Sequence, residues 1–173
     1  MFEQAEKCNK KDHLLAKPLY EKIIHEIGDK PIHEMNDMEL RFFARSKARI
    51  FLSSLMSDID NSEKAIDAFE LFFEKNDHDI RMYEEYILTL ELTYQYEKAH
   101  GVLQKMLRNE HLKPTSLAFL SSFVYCAEGL QSSNDCLMYK KQLIDITADP
   151  KERRRLQKEL EALNADDLSR DLS

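Results

Sequence analysis

The sequence predicts an all-α chain, a right-handed α-solenoid of antiparallel helix pairs with about eight helices. Three observations predict it. Gly occurs 3 times and Pro 4 times in 173 residues. Both disfavour helix interiors, Gly through backbone entropy and Pro through its missing N–H, so their scarcity leaves long stretches free to be helical. Apolar residues recur at spacings of three and four, the period of a helix with one buried face. The chain also echoes itself at a 34-residue step: Glu-Lys-Ala at 63–65 returns at 97–99. The same step carries Leu52 to Tyr86 to Leu120, Met56 to Leu90 to Val124, Ala65 to Ala99 to Ser133, and Phe69 to Leu103 to Leu137. That period is the length of a two-helix unit that buries its apolar face by stacking on its neighbours.

Taken in order, residues 1–9 form a short helix with Phe2 and Ala5 apolar, a cap or the remnant of a longer unit. Asp12 opens the next helix, with Leu15, Leu19, Ile23 and Ile27 on one face and Leu14, Tyr20 and Ile24 widening it. Pro18 either kinks this helix or lies in the first turn of one that begins near Lys17. Gly28, Asp29 and Pro31 stop it. Asn36 and Glu39 form a capping-box pattern that starts a helix over about 37–57. Its apolar face holds Leu40, Phe43, Ala44, Ala48, Phe51, Leu52 and Leu55, with Lys47 at the margin.

Residues 58–61 read as a polar turn, and Ser62 with Glu63 begins a helix carrying Ala65, Ala68, Phe69, Phe72 and Phe73. After a break at 76–79, Met82, Tyr83, Tyr86, Ile87 and Leu90 make the next face. A tight connection at 93–96 leads to Ala99, Val102, Leu103, Met106 and Leu107. Pro114 suits a first helical position, followed by Leu117, Leu120, Phe123, Val124 and Ala127. A break at 129–133 precedes a helix over 136–146. Asp149, Pro150 and Glu152 supply a cap, an N1 proline and an N3 glutamate, the clearest helix start in the chain. The expected organisation is a repeat domain over 1–148, a capping helix over 149–163 with Leu156, Leu160 and Leu163 on one side, and a loose polar tail over 164–173.

Net charge is −7, and the short basic run at 151–155 reads as a solvated helix face, so no direct nucleic-acid partner is expected. Cys8, Cys126 and Cys136 are odd in number and form no CxxC, which points to free thiols in a reducing, intracellular setting, cytoplasmic or nuclear. No apolar run approaches the ~20 residues that cross a bilayer.

The small residues Ala65, Ala99 and Ser133 begin the second helices, each with a large apolar residue four places on. Small residues belong where two helices touch, and large ones fill the space between layers. In this the chain resembles the tetratricopeptide repeat and its relative the half-a-TPR (HAT) repeat. The run 16–24, Ala-Lys-Pro-Leu-Tyr-Glu-Lys-Ile-Ile, is similar to the second helix of a HAT unit. The tryptophan expected in a HAT first helix is absent. Lys140 stands where an apolar residue is expected, so the last helix could instead present Cys136, Tyr139, Leu143 and Ile146.

The resemblance implies a peptide-binding groove lined by first helices: Lys47, Ile50 and Ser54; then Arg81, Glu84, Leu88 and Glu91; then Thr115, Ala118, Ser122 and Tyr125. The basic clamp that chaperone-tail-binding members present to a terminal carboxylate is missing, its places held by Ile50, Ser54, Glu85, Thr115 and Phe119. The six histidines (His13, His25, His33, His78, His100 and His111) form no HxxxH or HExxH, and no metal or cofactor is expected. Adjacent carboxylates such as Glu84 and Glu85 point in different directions on a helix and suggest no acid/base pair. No phosphate loop or nucleophile elbow is present.

The expected function is therefore a non-catalytic protein–protein scaffold or adaptor that takes a peptide or helix in its groove. One alternative is a HAT-like subunit of an RNA-processing or ribosome-assembly complex. Another is a peptide or small-molecule sensor, or an enzyme, whose site forms only in the tertiary structure. The N-terminal end begins mid-pattern, which predicts a homodimer or a part of a longer solenoid or complex.

Overall fold

The computed structural model describes residues 1–54, 56–76, 78–108 and 117–170. Among the described residues the regular elements are α1 (Phe2–Asn9), α2 (His13–Ile27), a 3₁₀ turn (Ile32–Glu34), α3 (Asp37–Ser53), α4 (Ile59–Lys75), α5 (Ile80–Leu92), α6 (Tyr96–Arg108), α7 (Leu117–Gly129), α8 (Ser133–Ile146) and α9 (Pro150–Arg170), with no strand. The chain divides into two compact units, Met1–Thr93 and Tyr94–Ser173. The division falls inside the 1–148 span that reads as one repeat domain. Pro114 and Thr115, and the side chains of Ala118, Phe119 and Ser133, lie outside what is described.

In the first unit consecutive helices pack on each other from α1 to α5, and α3 also meets α5. The start of α3 follows from its box. Asn36 Oδ1 accepts from the N–H groups of Met38 and Glu39 at 3.0 Å, and Glu39 Oε2 accepts from Asn36 N–H at 2.8 Å. Lys30 Nζ binds the same carboxylate oxygen at 2.8 Å, and that bond, with the one from Asn36, holds the Glu39 carboxyl below its ordinary pKa. The helix ends at Ser53, short of the expected 57, because Met56 takes a left-handed φ of 61°. The α4 helix begins at Ile59 rather than Ser62. Asp58 accepts from the backbone and side-chain amides of Asn61 at 3.3 and 2.6 Å, turning the expected loop into a first turn.

The expected face of α2 holds for Leu19, Tyr20, Ile23, Ile24 and Ile27, which pack in or against one core cluster, but not for its first turn. Leu14 and Leu15 are exposed, while Ala16, Tyr20 and Ile23 are buried with Ala5 and Ile50. Asp12 caps the helix through Leu14 N–H at 2.9 Å, so Pro18 lies in its interior. The small–large pairs read from the repeat are core. Ala16 and Tyr20, Ala65 and Phe69, and Ala99 and Leu103 are all fully buried. The aromatic stripe is core as well: Phe73 stacks on Tyr83 with ring centroids 3.9 Å apart, and Tyr86 donates to Glu70 at 2.8 Å.

A left-handed residue follows each of α3, α5 and α7: Met56, Tyr94 (φ 60°) and Gln131 (φ 55°). None is Gly, although the conformation is disfavoured for L residues.

In the second unit α6 packs on α7, α7 on α8, and α8 on α9. The Tyr96 ring lies directly over Gly129 at the end of α7, and a Cβ there would come within 2.3 Å of it. Lys140 is buried, not a break in the pattern: its Nζ sits 2.9 Å from Glu128 Oε1 on α7 and 3.1 Å from Glu159 Oε2 on α9. Cys136, Tyr139 and Leu143 are buried as expected, but Ile146 is exposed and Thr147 takes the inward place, one helical step on from Leu143. On α9 Leu156 is buried and Leu160 and Leu163 are half-buried. The helix runs on to Arg170, so the backbone at 164–170, expected as a loose tail, is helical.

Candidate functional site

The polar centre of the first unit is a ring of four charges. Arg45 on α3 places Nη2 3.0 Å from Glu6 Oε2 on α1 and 2.7 Å from Glu85 Oε1 on α5. Arg45 Nε donates to the same Glu85 oxygen at 2.9 Å. Arg49, one turn along α3, reaches Glu85 Oε1 at 3.1 Å and Glu6 Oε1 at 4.0 Å. Tyr20 of α2 donates to Glu6 Oε1 at 2.6 Å. Two guanidiniums and two carboxylates cancel, which lets the ring sit where Arg45 and Glu85 are only 11% and 12% exposed. Burial opposes the Arg45 charge, but the Glu85 bond and the nearby carboxylates outweigh it and raise its pKa. Burial, then the bond to Glu6, raises that of Tyr20. Glu85 Oε2 is buried and accepts no hydrogen bond among the described residues.

Beside this ring lies a cleft of about 960 Å³. The α3 face supplies Asp37, Met38, Arg41, Phe42 and Arg45, which share one side of the helix by their spacing. Phe2 and Glu3 come from α1. Phe72, Lys75, Asn76 and His78 come from the end of α4 and beyond, and Ile80 and Arg81 from the start of α5. Asp79 organises that corner. One of its oxygens accepts from the N–H groups of Arg81 and Met82 at 3.1 and 3.3 Å, and the other meets Arg41 at 3.0 Å. Met38 is 66% exposed and Ile80 39%, and both line the cleft. The Phe42 ring stacks on Phe2 at 4.8 Å, and the Arg45 guanidinium lies 4.7 Å from the Phe2 ring centre.

Of the groove residues expected from sequence that are described, Arg81 alone lines this cleft. Glu84 and Leu88 are exposed on α5. Lys47 is half-buried, 5.5 Å from the Phe43 ring centre, with its pKa lowered by burial and then by Lys64. Ser54 Oγ accepts from Lys17 Nζ at 3.0 Å and donates to the Ile50 carbonyl at 2.9 Å. Ile50 and Glu91 are both buried, Ile50 against residues of α1 and α2. Ser122 and Tyr125 belong to the second unit. Tyr125 is 43% exposed and packs edge-on against Tyr96 at 5.5 Å, and its bond to Tyr96 raises that phenol to about 12.

Sequence reasoning missed Glu6, Arg45, Met38 and Phe42. The one available signal was the spacing of Arg45 and Arg49 at i,i+4 on one side of α3. Nothing in the order of residues tied them to Glu6 and Glu85. Among the described residues no group of three or more His, Cys, Asp and Glu is gathered as for a metal, and no helix is long and apolar enough to cross a membrane. No protein-family model and no curated protein matches this chain.

Proposed function

We propose that this chain is a non-catalytic interaction module that docks an amphipathic helix or peptide of a partner protein in the cleft of its first unit. The observation that carries the proposal is that exposed Met38 and Ile80 and half-buried Phe42 line one cleft together with Asp37, Lys75 and Arg81. A lining that mixes apolar side chains with charges of both signs suits a helix with one apolar face and polar flanks. The buried small–large pairs support, within the same proposal, a tetratricopeptide- or HAT-type repeat whose helices stack in the first unit.

The test is affinity capture from the native cell with the unaltered chain and with Met38→Asp and Arg81→Glu variants, each checked for helicity and each run with and without nuclease. A protein that resists nuclease and is lost with both cleft variants is the expected result. Recovery unchanged by the cleft variants overturns the assignment. A partner set that dissolves on nuclease treatment instead favours the RNA-processing subunit reading.

A further inference from the structure

A recess of about 450 Å³ opens in the second unit, where the start of α6 meets the end of α7. Tyr94, Tyr96, Glu97 and Lys98 line it from one side, Gly129 and Leu130 from the other. Tyr94 stands there at a cost. Its backbone is held at a left-handed φ of 60°, and its side chain gains little from packing, since the residue is 76% exposed. Strain of that kind gathers where a ligand is held. The rings beside it are set nearly at right angles. Tyr94 meets Tyr96 at 80° with centres 6.1 Å apart, and Tyr96 meets Tyr125 at 76° and 5.5 Å. Two perpendicular rings bound a corner whose walls are both π faces.

We propose that this recess binds a quaternary ammonium group, with Tyr94 and Tyr96 as its walls and Glu97 as its counter-charge. The electron-rich face of each ring attracts a cation, and two faces at right angles attract it together. A methylated ammonium fits such a corner because it presents methyl groups to the rings and carries its charge without N–H donors that need partners. A proline ring would also stack on tyrosines, but the Glu97 carboxylate in the same recess favours a cation. The chain's net charge of −7 favours its approach. Lys98 also lines the recess, yet it is already engaged with another group, and its charge rides on a flexible four-carbon stem. The corner is formed in advance. Gly129 lies directly under the Tyr96 ring, and Tyr125 holds the Tyr96 phenol by a hydrogen bond. All of these residues belong to the second unit, so the site does not depend on what the cleft of the first unit binds.

The test is an NMR titration of the full chain, read on the ring signals of Tyr94 and Tyr96. It compares choline with dimethylbutanol, a neutral carbon isostere of the same shape. Choline should bind about tenfold more tightly. Tyr94→Ala, at an exposed position where the fold loses little, should weaken choline about tenfold. Glu97→Gln should weaken it about threefold, and Lys98→Ala should not weaken it. A short peptide carrying trimethyl-lysine is titrated beside choline. Binding of either by this pattern supports the proposal, and the tighter of the two names the source, a modified protein tail or a free quaternary amine. Equal binding of choline and dimethylbutanol overturns the proposal, as does choline binding that Tyr94→Ala leaves unchanged. Ring signals that move with neither cation overturn it too. A proline-rich peptide that moves them where the cations do not would assign the corner to proline stacking instead.

Discussion

Arg45 and Glu85 are forty residues apart in sequence, on different helices, yet Arg45 Nη2 lies 2.7 Å from Glu85 Oε1 with both side chains nearly sealed from water. The bond ties α3 to α5, and the same guanidinium nitrogen holds α1 through Glu6. Removing Arg45 strands Glu85, whose second oxygen already has no hydrogen-bond partner among the described residues. Arg45→Met should therefore cost about 3 kcal/mol in urea unfolding, as breaking one side of a buried pair does. Arg49 still faces Glu85 at 3.1 Å and keeps the loss from being larger. A double variant with Glu85→Gln should recover part of it. No recovery in the double variant would show that packing, not charge, sets the cost.

Lys140 looks similar and should behave differently. Its own side chain is 6% exposed, but Glu128 and Glu159 are 48% and 36% exposed. Taking the lysine away leaves both carboxylates in water. Lys140→Met, which keeps the stem volume, should change stability by less than about 1 kcal/mol. A thermal melt of the variant checks this. A loss as large as that of Arg45→Met would mean the two acids are stranded after all.

Tyr20 and Tyr86 both have phenols raised above their ordinary value of about 10, first by burial and then by bonds to Glu6 and Glu70. A raised group contributes its stability in full below its unfolded pKa, and that contribution is lost as pH climbs towards the folded value. Stability should thus fall above about pH 10, where the unfolded chain releases these protons and the folded chain holds them. Urea midpoints across that range, with tyrosinate absorbance, measure it. Tyr20→Phe with Tyr86→Phe should flatten the slope, and an unchanged slope would assign it to other groups.

Gly129 sits in a helix, where Ala ordinarily stabilises by about 0.5–1 kcal/mol. Here the added Cβ would meet three atoms of the Tyr96 ring within 2.3–2.5 Å. Gly129→Ala should instead destabilise by about 1–2 kcal/mol, as overpacking does. In a Tyr96→Ala background the same change should turn neutral or stabilising. A double-mutant cycle on melting temperature reads the sign.

Leu156 is the buried anchor of α9, and Arg153 beside it donates Nε to the Thr147 carbonyl at 2.9 Å. Leu156→Asp buries an unpaired carboxylate and should cost roughly 3 kcal/mol. Hydrogen exchange in α8 should rise with it. Unchanged exchange there would remove α9 from the role of a cap.

The sequence by itself determined the helical class, the start of α3 at Asn36, the start of α9 at Pro150 and the buried pairs Ala65–Phe69 and Ala99–Leu103. These depend on contacts within one turn or on a stripe of fixed period, and such signals are local. It placed Leu19, Tyr20, Ile23, Ile24 and Ile27 of α2 on the packed side but also Leu14 and Leu15, which are as apolar as any core residue yet exposed, because what covers a helix's first turn is set by another helix. Only the tertiary structure decided that Ile50 and Glu91 turn inward, that Lys140 is buried between two glutamates, and that Met38, Phe42, Ile80 and Arg81 share a cleft. Those outcomes depend on pairing distant charges and on which helix covers which face. A burial cost or an ion pair between residues forty apart has no period for a sequence to show.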